Sequence, residues 1–220
     1  MSIWSETRHL LRKEFTLEFR NRYALFGVLL YLFLLVFIVY LVLGQVEPGT
    51  WNALYWITLT FVAVSTIARS FVQENAGRQF YYYTISSATG IILSKLLYNA
   101  LLLIVLGACN LLLFAILIGW PVTQTLVMIA TTVLGATGIS TAFTLMSSIS
   151  SKTNNNVGIM AILSLPVIVP MLMMLIECSN QAMQPLPEWR IVWQGLGIVA
   201  ALDAIVVSLA LILFPYLWRD

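Results

Sequence analysis

Six long apolar stretches separated by short polar breaks constrain this chain more than any other feature. They lie at about residues 23–43, 51–68, 96–118, 125–149, 157–176 and 191–214, and the one formal charge inside them is Asp203. Each is close to the ~20 apolar residues that cross a bilayer. Lipid offers no water to backbone N–H and C=O groups, so such a run spans as a helix that satisfies them internally. The chain is 9% charged, against about a quarter in a soluble domain. Within 220 residues, six spans leave no room for a second folded domain. The expected fold is therefore an all-α integral membrane protein, with residues 23–220 forming one six-helix bundle. A soluble enzyme, a nucleic-acid binder and a secreted disulfide scaffold are excluded.

Residues 1–22 differ from the rest. Ile3, Thr7, Leu11, Phe15 and Phe19 recur every four residues, Trp4 and Leu10 widen the stripe, and five basic residues lie around it. That pattern predicts an amphipathic helix in the membrane interface. The first span has no A-x-A cleavage site behind it and is expected to be retained.

Charge placement predicts orientation. With the N-terminus inside, segments 1–22, 69–95, 150–156 and 215–220 hold every Lys and Arg except Arg190. Basic residues stay on the cytoplasmic side, so the expected topology is six spans with both ends in the cytoplasm.

Several chemistries fail on residue supply. A phosphate-binding G-x-x-x-x-G-K-[ST] loop needs Gly before Lys, whereas Lys13, Lys95 and Lys152 follow Arg12, Ser94 and Ser151. The single histidine, His9, lies outside the spans, which leaves no intramembrane Ser–His pair and no His-ligated metal site. Cys109 and Cys178 are far apart, without metal-ligand spacing. No catalytic, cofactor-binding or metal-binding residues are expected.

Four features remain. Asp203, in mid-span, either belongs to a translocation path or bonds a Thr or Ser of span 4; as a path residue it would suit a secondary carrier. Span 4 carries Thr131, Thr132, Gly135, Thr137, Gly138, Ser140, Thr141 and Thr144, which suits close helix packing within the subunit or in a dimer. Span 5 carries Pro166 and Pro170, which remove two backbone donors and are expected to kink or break it. The segment 69–95 holds Phe71, Glu74, Arg78, Tyr81, Tyr82 and Tyr83. Aromatics and Arg are enriched where proteins bind, and consecutive aromatics favour a partner over a simple interfacial belt.

Together these elements resemble the permease subunits of type-2 ABC exporters, and more closely the haem exporter permeases of the cytochrome c maturation system. The resemblance rests on Phe71-Val72-Gln73-Glu74 with the aromatics after it, on Ile92-Leu93-Ser94-Lys95, and above all on Leu163-Ser164-Leu165-Pro166-Val167-Ile168-Val169-Pro170. The segment departs from better-known members in having one acid, Glu74, and no proline. The resemblance implies a homodimer in the bacterial inner membrane, bound to a separate cytoplasmic ATPase subunit and to a haem-handling membrane protein. ATP would sit on the ATPase, and haem would be cargo or a handled ligand. It also implies that Phe71, Glu74, Arg78 and Tyr81–Tyr83 contact the ATPase, and that Pro166 and Pro170 carry motion to the outer side. An exporter of lipid, polysaccharide or drug would share the architecture.

Overall fold

A computed structural model describes residues 3–20, 22–72, 87–150 and 157–219, and all regular structure among them is helical. The helices are α1 (Ile3–Arg20), α2 (Arg22–Leu43), α3 (Pro48–Val72), α4 (Ala88–Leu117), α5 (Thr125–Ser150), α6 (Val157–Met183) and α7 (Trp189–Arg219). Helices α2 to α7 are each long and apolar enough to cross a membrane.

Helix α5 is the centre. It packs against α3, α4, α6 and α7, and its Thr/Ser/Gly-rich surface is almost wholly buried. The close packing expected of span 4 is therefore met inside the subunit. Two glycines show why small residues are needed. A Cβ at Gly135 would stand 2.5 Å from the Trp56 ring, and one at Gly138 would strike Met171 Sδ at 2.6 Å. Helix α2 is the opposite case. It is apolar all round, yet among its described side chains only Val28, Leu32 and Val36 are buried, one turn apart. Tyr31, Leu35 and Val39 pack partly against the core, and the other face, including Phe26, Leu30, Leu34 and Leu41, points outward as lipid-facing residues do.

Contacts between α3 and α4 fix their direction. Trp51 meets Phe114, and Tyr55 meets Gly107 O, so the two run antiparallel. The end of α3 and the start of α4 therefore share one end of the bundle. At the opposite end α4 stops at Gly119, whose φ of 115° and N–H bond to Phe114 O form a left-handed cap. Trp51 Nε1 closes this corner by donating to Gly119 O at 3.1 Å.

Two boundaries differ most from expectation, while α3 and α7 run on by a turn or so to Val72 and Arg219. Helix α4 begins at Ala88, not at residue 96, because Ser87 caps it: Ser87 Oγ accepts Gly90 N–H at 3.2 Å. Lys95, expected to close a loop, is buried inside this helix. Helix α6 continues past residue 176 to Met183. The helix runs on through the exposed Glu177, and Ser179 and Asn180 after it bond to α3.

Candidate functional site

The expected partner-binding segment follows α3. Phe71 lies in the last turn of that helix. Glu74, Arg78, Tyr81, Tyr82 and Tyr83 lie outside the described residues. What the structure shows is how the segment's exit is held. Glu6 of α1 reaches Ser87 with both carboxylate oxygens. Oε1 accepts the backbone N–H at 2.5 Å and Oε2 accepts the hydroxyl at 2.9 Å. The negative carboxylate thus sits at the N-terminus of α4, where the helix dipole favours it. Further along, Lys95 meets Glu14 at 4.0 Å with its side chain only 2% exposed, and Glu14 also meets Lys13 at 3.6 Å. Phe15 packs edge-on to Tyr98, ring centroids 5.3 Å apart.

These contacts dispose of the two faces of α1. Thr7 is buried, Leu10 packs on the cluster of Ile91, Ile92 and Leu96, and Phe15 meets Tyr98, so part of the apolar stripe lies against the bundle. Arg8, His9 and Arg12 are exposed. Sequence reasoning does not single out Glu6, Glu14 or Ser87. A signal for one of them is nevertheless present: Ser87 stands just before an apolar run, as helix N-caps do.

Pro166 and Pro170 do not break α6, which is continuous through both. Each ring removes one N–H, so the carbonyls of Ile162 and Pro166 lose their helical donors. Ile162, Pro166, Val169, Pro170 and Met173 all lie on the outward face. The half beyond the prolines is tied to its neighbours by polar bonds. Ile176 O and Asn180 Oδ1 both accept from Asn52 Nδ2, at 2.9 and 2.7 Å, and Ser179 Oγ accepts from Trp56 Nε1 at 2.8 Å. Ala182 O accepts the backbone N–H groups of Thr123 and Gln124 at 3.1 and 2.8 Å. Before Pro166, the Ser164 hydroxyl turns back to its own helix and donates to Ala161 O.

Asp203 of α7 meets α5. Thr137 Oγ1 donates to Asp203 Oδ2 at 3.2 Å, the bond to a span-4 hydroxyl that the sequence allowed. Thr137 Oγ1 also lies 2.8 Å from Leu134 O. Asp203 Oδ1 is packed against the Gly138 backbone, where a Cβ would strike it, and has no hydrogen-bond partner among the described residues. A second polar cluster joins α3, α4 and α5. Tyr55 OH lies 3.0 Å from Thr132 Oγ1, and Asn110 Nδ2 donates to Thr58 Oγ1 at 3.0 Å. These polar groups are turned to partners on neighbouring helices, as groups buried at membrane depth usually are. Among the described residues no group of three His, Cys, Asp or Glu side chains could hold a metal ion.

Comparison with known proteins gives one family. Residues 5–216 match the family described as CcmB protein. No curated protein matches the chain.

Proposed function

The chain belongs to the CcmB protein family, and we propose that it is the permease subunit of an ABC-type exporter that serves haem delivery in cytochrome c maturation. The family match over residues 5–216, together with six membrane-length helices, carries this reading. A separate ATPase subunit binds on the cytoplasmic side, at the bundle end where α3 leaves and α4 returns. Phe71, Glu74, Arg78 and Tyr81–Tyr83 form its contact. ATP stays on that subunit, and haem is cargo or is released from a haem-handling membrane protein.

The chain acts as a homodimer in the bacterial inner membrane, with both termini in the cytoplasm. The outward apolar faces of α2 and α6 are available to lipid or to the second copy. Motion enters through the segment after α3 and passes along α6. There the half beyond Pro170 is bonded to α3, and the half that leads into the prolines swings against it. Two-state coupling of this kind needs an element whose equilibrium the nucleotide state biases, and α6 is that element.

The test is co-expression with the ATPase and haem-handling proteins of the same maturation system, followed by purification in detergent. The proposal expects a complex containing all three. A chain that purifies without any ATPase contradicts it, as does Arg78→Glu with Tyr82→Ala that leaves ATPase recovery unchanged.

A further inference from the structure

We propose that Glu6 is a positioning residue for coupling, holding α1, the exit of the segment after α3 and the first turns of α4 as one mechanical unit. This rests on the ATPase-coupled reading above. The observation behind it is a pair of pins. Glu6 holds Ser87 through two bonds, and Glu14 meets Lys95. Glu6 and Glu14 are eight residues apart on α1, and Ser87 and Lys95 are eight residues apart at the start of α4. Contacts rise together along both helices, so they run parallel and in register over about 12 Å.

Each pin has its own chemistry. At Ser87 the carboxylate takes both donors of one residue while Ser87 Oγ accepts Gly90 N–H, so the cap of α4 is held from outside by α1. Gly90 permits this approach: a Cβ there would stand 3.2 Å from Glu6 Cδ. At Lys95 a cation whose side chain is only 2% exposed lies against a carboxylate, and drawing the two apart costs more than at an exposed pair because the buried lysine gains no water in return. Leu10 packs on the cluster of Ile91, Ile92 and Leu96 between the pins. One pin would allow α1 to rotate about it; two in register prevent both rotation and sliding. A displacement that leaves the segment through Ser87 therefore moves α1 and α4 together. The exposed arginines Arg8 and Arg12 travel with them.

The experiment replaces the Glu6–Ser87 pin with a covalent one. Glu6→Cys and Ser87→Cys are introduced into the full chain with Cys109→Ser and Cys178→Ala, assembled with the ATPase and haem-handling subunits. The readout is c-type cytochrome matured per ATP hydrolysed. In the reduced state this ratio should fall about tenfold, the weight of a lost charge-assisted hydrogen bond. On oxidation to the disulfide it should return toward the parent. Glu6→Gln, which keeps one acceptor oxygen, should lie between. A disulfide that abolishes maturation, or a reduced pair and a Glu6→Gln chain that both match the parent, overturns the inference while leaving the coupled reading intact. Failure of the parent chain to bind an ATPase at all overturns both.

Discussion

Trp56 Nε1 donates to Ser179 Oγ at 2.8 Å, across the interface of α3 and α6 and one turn from the Asn52–Asn180 bond. With the Ala182 carbonyl held by Thr123 and Gln124, these bonds make the C-terminal half of α6 part of a block with α3 and the start of α5. Trp56→Phe keeps an aromatic ring and removes the donor. It should cost about 1 kcal/mol, the usual net value of such a bond. A drop in the detergent melting temperature, with the complex still assembled, is the expected measurement.

The glycines of α5 give a sharper test of packing. Gly135→Ala places a methyl against the Trp56 ring and Leu175. Overpacking of that kind costs about 1–3 kcal/mol. Gly197→Ala meets nothing within 4 Å and lies inside α7, where Ala is the better helix former by about 1 kcal/mol, so it should hold or raise the melting temperature. Equal effects of the two substitutions would contradict the described α3–α5 interface.

Asp203 distinguishes packing from transport chemistry. Asp203→Asn retains an acceptor oxygen for Thr137 Oγ1 and fits the same space beside Gly138. It should support cytochrome maturation at close to the parent level, whereas Asp203→Leu should lower stability. Loss of transport in Asp203→Asn, with transport surviving nucleotide depletion, would point to a secondary carrier instead.

The prolines of α6 should trade stability against activity. An interior proline costs a helix about 3 kcal/mol. Pro166→Ala with Pro170→Ala restores two N–H donors and should raise the melting temperature. If the N-terminal half of α6 must swing, cytochrome maturation falls in the same variant. A stabilised chain with full activity would remove α6 from the coupling route.

Much of the architecture is legible in the sequence because lipid enforces it. Apolar runs near 20 residues have one way to satisfy their backbone, so all six long helices can be read directly. The ends are less legible, since charge is a poor marker of depth once a partner is folded beside it. Lys95 looks like the close of a loop because its partner Glu14 is 81 residues earlier. Ser179 and Asn180 look like a loop because their bonds to Trp56 and Asn52 depend on packing. The grip of Glu6 on Ser87 is hidden for the same reason. The outward placement of Pro166 and Pro170 follows from which face of α6 meets α5, and spacing alone does not give that.

The most direct measurement of the central claim is the content of covalently bound haem in a strain lacking this chain. Its absence should eliminate haem-stained c-type cytochromes while b-type cytochromes remain, and a plasmid copy should restore them only when the ATPase subunit is also active. Normal c-type cytochromes in the deletion strain would contradict the account.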